Sequence, residues 1–173
     1  MLWEDLKKWS DKFLPEIKRI LGEHLITESL EVDDATRNTD LIVLKLEPMR
    51  IACRIRKYKY LKRYGNEITI RSSVPSGNKT ELEKIKEGFG DWFFYGFADP
   101  TETCLCQWLI GDLNVLREHI DKCQMQTKNN FDGSSSFVAI KHKDIPNFVI
   151  ASQEYLIWQF QKWLKTHETT GNH

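Results

Sequence analysis

The chain has 173 residues, 40% of them hydrophobic, with 25 Lys plus Arg balanced by 25 Asp plus Glu. This composition is typical of one globular domain with a sizeable core. No apolar run reaches the roughly 18–20 residues that a membrane span needs, and no secretory signal is recognisable. Four cysteines at irregular spacing exclude a disulfide scaffold and favour a reduced, cytoplasmic protein.

The first half of the chain predicts a helix followed by three strands. Apolar residues recur at three- and four-residue steps over 2–21, which predicts an amphipathic helix interrupted at Pro15. Residues 27–39 are polar and predict a loop, with a short edge strand as an alternative. The three predicted strands are 40–47, 50–57 and 67–74.

The second half predicts a mixture of helices and strands. Thr80 and Glu83 form a capping-box pattern at the start of a helix near 80–88. The remaining predicted elements are strands at 91–99 and 104–113, a helix near 114–124, a loop at 127–136, a strand at 137–145 and a helix at 152–165. We therefore predict a single α/β (α+β) domain over 1–166, with a mixed central β-sheet flanked by helices and a disordered tail at 167–173.

Residues 50–65, RIACRIRKYKYLKRYG, carry seven Lys or Arg and no acid. Because side chains alternate along a strand, Arg54 and Arg56 share one face of strand 50–57. Arg71 lies on the polar face of strand 67–74, beside Glu67 in the alternation. If the two strands are neighbours, the three arginines converge. The pattern predicts either a solvated face with cross-strand ion pairs or a phosphate site, because Arg forks match phosphate oxygens.

The segment PSGNKTELEK, residues 75–84, favours the phosphate site. It places Lys79 and Thr80 before a predicted helix N-terminus, where free N–H groups attract anions, and Lys84 within that helix. The predicted phosphate or nucleic-acid-binding residues are therefore Arg54, Arg56, Arg71, Lys79, Thr80 and Lys84.

Tyrosines at positions 58, 60 and 64 are interleaved with the basic residues. They either pack in the core or stack on bases, since aromatic rings beside cations are typical of single-stranded nucleic-acid surfaces. We expect at least one of them to be exposed.

The segments NTDLIVLKL, RIACRIRK, EITIR and SGNKTELEKIKEGFGDWFFYGF resemble small proteins of phages and mobile elements. Over roughly residues 15–115, the order of helix, three strands, helix and strand resembles the PD-(D/E)XK nuclease core. The resemblance implies a nuclease-like layout and metal-dependent hydrolysis of phosphodiesters.

Transferred to this sequence, the resemblance makes Asp40 the first metal-binding carboxylate. Glu23, Glu28 or Glu31 would match the helical Glu of the family. The (D/E)XK positions fall at Arg54, Ile55 and Arg56, so Glu67 or Glu81 would have to supply the missing acid. The resemblance therefore implies a Mg²⁺ site at Asp40, with Asp40, Glu67 and Glu81 as the candidate catalytic residues.

Two alternatives stay open at this point. Cys104, Cys106, His119 and Cys123 have a spacing near that of zinc sites, but it also suits buried free cysteines and a core-facing helix. The function is either to bind or cut nucleic acid, or to act as a non-catalytic phage or mobile-element factor that binds a host protein. The sequence leaves the choice between DNA and RNA and the oligomeric state open.

Overall fold

Two helices replace the single predicted one at the start of the chain. The computed structural model describes residues 3–28, 41–43, 49–75, 77–122, 125–130, 133, 135–158 and 161. Helices α1 (Trp3–Asp11) and α2 (Leu14–Leu25) are separated at residues 12–13. The interruption lies where Pro15 predicts it, because proline fits only the first turn of a helix.

Nine strands in the described residues form three separate sheets. They are β1 (Ile26–Glu28), β2 (Leu41–Val43), β3 (Ile51–Arg56), β4 (Glu67–Ser73), β5 (Trp92–Ala98), β6 (Leu105–Asp112), β7 (Gln126–Asn129), β8 (Ser136–Lys141) and β9 (Val149–Ser152). The sheets have the orders β1-β2, β3-β5-β6-β9 and β4-β8-β7. Strand β3 runs parallel to β5 and every other pairing is antiparallel. The four-stranded sheet is therefore mixed, and the predicted α+β class is confirmed.

Short helical segments connect and cover the sheets. They are a 3-10 turn (Tyr58–Tyr60), α3 (Leu61–Tyr64), α4 (Glu81–Lys86), α5 (Leu113–His119), a second 3-10 turn (His142–Asp144) and helical residues 153–158. The predicted capping box is present at α4, where Thr80 accepts from the Glu83 backbone and Glu83 accepts from the Thr80 backbone. In the described part of the chain, no helix is long and apolar enough to cross a membrane.

The four-stranded sheet is covered on both faces. On one face, Phe13 between the two N-terminal helices and Ile17 and Ile20 of α2 pack with residues of the sheet that include Phe94 and Ile110. On the other face, Phe93, Tyr95 and Phe97 of β5 belong to a larger core that includes residues of β4, β8, α4 and α5. The side chains of β5 thus pack into two cores, one on each face of the sheet, which explains why five of its seven residues are aromatic.

Strands 50–57 and 67–74 are not neighbours, as convergence of the three arginines on one sheet would require, because β2, β3 and β4 lie in three different sheets. The aromatic strand β5 is the neighbour of β3, and β4 pairs with β8. Residues 57–66 carry the chain from one sheet to the other.

Two strands have no counterpart among the predicted elements. The sequence of β7 is QTKN, which lies largely in the predicted loop at 127–136 and lacks an apolar alternation. Strand β9 lies between the predicted strand 137–145 and the predicted helix at 152. Both are short edge strands, whose pairing depends on distant partners rather than on their own sequence.

Gly111 allows the last two strands of the larger sheet to meet. A Cβ atom at this position would lie less than 3.0 Å from three ring carbons of Phe148, which is fully buried. Gly22, within α2, has no heavy atom within 4 Å of such a Cβ.

We expect Gly111→Ala to lower the free energy of unfolding by about 1–3 kcal/mol, because the core must move to accept the methyl group. Gly22→Ala is the matched control and should raise it by up to about 1 kcal/mol, since alanine favours the helix. Chemical denaturation measures both. Equal stability of the two variants would contradict the packing at Phe148.

Candidate nucleic-acid interface

The basic stretch after β3 folds as a compact helical turn. The Tyr60 backbone N–H donates to the Lys57 carbonyl over 3.0 Å, and the Gly65 N–H donates to the Leu61 carbonyl over 2.8 Å. Leu61 packs against the larger core and Tyr64 is buried. This spacing of three residues anchors the turn and leaves its other side chains in solvent: Tyr58, Lys59, Tyr60, Lys62 and Arg63 are exposed. The expectation that at least one tyrosine is exposed is confirmed, because both Tyr58 and Tyr60 are exposed.

The Arg56 guanidinium lies between aromatic rings at the point where the two sheets face each other. Its central carbon is 4.6 Å from the ring centroid of Tyr60, 5.6 Å from that of Tyr64 and 5.8 Å from that of Phe137. Its Nη1 donates to the Thr69 hydroxyl over 2.8 Å, and that hydroxyl lies 3.0 Å from the Tyr95 hydroxyl. The Arg56 side chain therefore forms a hydrogen bond between β3 and β4.

The charge of Arg56 is balanced by ring faces rather than by a carboxylate. Its Nε is buried and has no hydrogen-bond partner in the part of the chain that the structure describes. Burial lowers the pKa of Arg56 and raises the pKa of the Tyr95 hydroxyl. An arginine stays protonated despite such a shift, and each desolvated cation–ring contact contributes about 0.5–2 kcal/mol. A fixed positive charge therefore lies behind the turn.

Three more cations surround the same rings. Arg63 and Lys128 lie 5.3 and 5.1 Å from the Tyr64 centroid, and Lys59 lies 5.2 Å from the Tyr60 centroid. We call Arg56, Lys59, Tyr60, Arg63, Tyr64 and Lys128 the cation–tyrosine cluster. Among its four cations, Lys128 has an ion pair within the described residues, 3.7 Å from Glu67, and the other three have none.

Arg54 and Arg71 meet at a carboxylate of α4. Arg54 Nη1 donates to Glu81 Oε2, and the Arg71 backbone N–H donates to the same oxygen over 3.0 Å. The Arg54 and Glu81 side chains are 19% and 25% exposed. Arg54 approaches Glu81 with its side chain and Arg71 approaches it with its backbone, from two different sheets, and Arg54 is neutralised within the protein.

The predicted anion site at α4 is occupied by the protein's own groups. Glu83 Oε2 accepts from the Thr80 N–H over 2.7 Å, and this bond lowers the pKa of the Glu83 carboxyl. Lys79 pairs with Glu87 over 2.7 Å, and Lys84 is exposed on α4.

The structure does not bring the predicted metal ligands together. Asp40 and Glu31 lie outside the described residues, as does the side chain of Glu28, and Glu23 pairs with Arg19 on the surface. Glu67 and Glu81 each face a cation, Lys128 and Arg54. As they stand, these two carboxylates do not suit a divalent cation. The described residues contain no cluster of three or more His, Cys, Asp or Glu able to hold a metal. The Mg²⁺ site at Asp40 stays a prediction.

The cysteine and histidine candidates have local partners. Cys106 Sγ donates to the Phe97 and Ala98 carbonyls over 3.5 and 3.3 Å, and His119 Nδ1 lies 2.9 Å from the Val115 carbonyl. Cys104 is exposed, and Cys123 lies outside the described residues. Zinc binding by this set is untested.

No family model, curated protein or solved structure matches this chain. The resemblance to PD-(D/E)XK nucleases therefore stays an expectation from the sequence. The interface has to be judged by its own geometry.

Two residues next to the Tyr64 ring were not predicted from the sequence. Lys128 lies in the predicted loop, and Phe137 shows no polar pattern. One signal was present: Leu61 and Tyr64, three apart in a basic segment, are the spacing of a helical turn anchored on an apolar surface.

The contact of Glu81 with Arg54 and the Arg71 backbone gives a stability prediction. We expect Glu81→Ala to lower the free energy of unfolding by about 1–3 kcal/mol, because a half-buried guanidinium and a backbone donor lose their acceptor. Glu118→Ala, at an exposed position on α5, is the matched control and should stay within about 0.5 kcal/mol of the wild type. Urea titration measures both, and a cost at Glu81 no larger than at Glu118 would contradict the contact.

Proposed function

We propose that this protein binds nucleic acid, and that the helical turn after β3 and the cation–tyrosine cluster form the binding surface. The observation that carries the proposal is the concentration of cations there. Lys59, Lys62 and Arg63 are exposed, and none of them has an ion pair with a carboxylate among the described residues. Lys128 adds a fourth cation next to the Tyr64 ring.

The charge distribution along the chain supports the proposal. The chain is neutral overall, yet no Asp or Glu occurs between Glu47 and Glu67. Charge separated in this way gives a positive surface on a neutral protein, and such a surface attracts polyanions. A phosphate backbone is the polyanion that pairs naturally with an array of Lys and Arg.

The proposed phosphate contacts differ from those predicted from the sequence. Arg54 is paired with Glu81 and Arg56 is enclosed by rings, so neither side chain is presented to solvent in the way that Lys59, Lys62 and Arg63 are. Arg56, which has no carboxylate partner among the described residues, instead contributes positive potential behind the surface. We assign binding without a reaction, in a cytoplasmic setting; Mg²⁺-dependent cleavage through Asp40 stays an expectation of the family resemblance.

Binding should weaken steeply with salt, and the turn should supply much of that dependence. Each phosphate contact contributes about 0.7–0.9 to the slope of log affinity against log salt. We expect the Lys59→Ala, Lys62→Ala double variant to flatten the slope by roughly one to two units, as measured by fluorescence anisotropy with a labelled oligonucleotide from about 50 to 200 mM salt.

The matched control is the Lys18→Ala, Lys122→Ala double variant, which removes the same charge from elsewhere. Lys18 is exposed on α2, and Lys122 follows α5, which begins where β6 ends beside the start of β5. The turn instead follows Arg56, which pairs with Phe97 towards the other end of β5. This control should keep the wild-type slope. Equal flattening by both double variants, or no binding at low salt, would refute the proposal and favour the interaction-protein alternative.

A further inference from the structure

We infer that the ligand of this surface is single-stranded nucleic acid, with an unpaired base stacked on the outer face of Tyr60. The inference rests on the proposed function and names the class of nucleic acid that the same surface takes. It depends on how the Tyr60 ring is held.

Tyr60 is packed against Arg56 and Tyr64 and is still partly exposed to solvent. The Arg56 guanidinium carbon lies 4.6 Å from the ring centroid, and Arg56 is itself held by the Thr69 hydroxyl. Tyr64 lies next to the same ring, with centroids 6.4 Å apart. The Tyr60 residue is nevertheless 37% exposed. It therefore projects a fixed aromatic surface into solvent, with a buried cation behind it.

Ordering of the ring before binding favours a stacking role. An exposed side chain that must be immobilised on binding loses conformational entropy, whereas a ring packed on a guanidinium has lost most of it already. Lys59, whose Nζ is 5.2 Å from the centroid, is an exposed flexible chain that can move from the ring to a phosphate. Tyr58, two residues before Tyr60 in the chain, is 46% exposed and offers a second ring.

The shape of the turn disfavours reading of a duplex. Base faces are inaccessible in a duplex, whose grooves are read by inserted helices or β-ribbons. Here the projecting element is a 3-10 turn followed by the four-residue helix α3, which is too short to lie along a groove. Rings interleaved with cations instead match surfaces that stack successive unpaired bases and track the backbone.

The test compares a fluorescein-labelled single strand of about 12 nucleotides of mixed sequence with its own duplex, at about 50 mM salt. We expect the wild type to prefer the single strand. Tyr60→Leu should weaken single-strand binding roughly 5- to 150-fold, the loss expected for one stacked base. Duplex binding by Tyr60→Leu should stay within about twofold of the wild type, because it depends on charge.

Two variants control for folding and for aromaticity. Tyr60→Phe keeps the ring and should bind the single strand like the wild type. Tyr155→Leu removes another exposed tyrosine, which follows β9 at the opposite edge of the four-stranded sheet from β3, and should change neither affinity.

The outcomes separate the inference from the function on which it rests. Equal affinity of the wild type for both probes, or equal weakening of both by Tyr60→Leu, overturns the single-strand inference and leaves nucleic-acid binding intact. Absence of binding to either probe overturns the proposed function itself. The wild-type comparison needs no variant, so it decides the matter even if Tyr60→Leu fails to fold.

Discussion

The packing of Arg56 among three aromatic rings is the interaction on which the interface depends. The residue belongs to the edge strand β3, but it bonds to Thr69 of β4 and packs on Tyr60 and Tyr64 of the connecting turn. Among the described strands the two sheets are not paired with each other, so Arg56 and its rings link them alongside the Thr69–Tyr95 hydroxyl contact and the shared core. Because aromatic faces and a hydroxyl can solvate a guanidinium without neutralising it, the joint also leaves positive charge at the surface.

Two arginines of β3, Arg54 and Arg56, have different partners for their charge. Arg54, two residues earlier on the same face, is neutralised by Glu81 and fastens α4 to the sheet. Beyond Arg56 the chain contains no acid until Glu67. Lys57 pairs with Glu102 over 3.3 Å, but Lys59, Lys62 and Arg63 have no ion pair among the described residues. One segment of sequence thus provides an internal ion pair, a ring-solvated cation and an exposed basic surface in succession, and only the exposed surface is suited to a phosphate backbone.

The period-two alternation of β3 and β4 was predictable from the sequence, and so was the capping box at Thr80. The sheet partners were not, because Arg54 pairs in register with Tyr95 and Arg71 with Phe137, both distant in the chain. Alternation fixes which face a side chain takes, but not which strand lies beside it. For the same reason, the sequence did not predict that Lys128 and Phe137 lie at the interface, since their position depends on strand pairing in the three-stranded sheet. The exposure of Tyr58 and Tyr60 followed from composition, whereas burial of Tyr64 required the fold.

The most direct test of the central claim is a residue-resolved map of where nucleic acid binds. Backbone amide chemical shifts of the ¹⁵N-labelled protein, followed during titration with a short single strand, give that map. The account predicts the largest shifts at Lys57–Tyr64 and at Lys128, with β9 and residues 153–158, at the opposite edge of the four-stranded sheet from β3, unaffected. Shifts centred on any other surface, or a spectrum unchanged by the oligonucleotide at low salt, would contradict it.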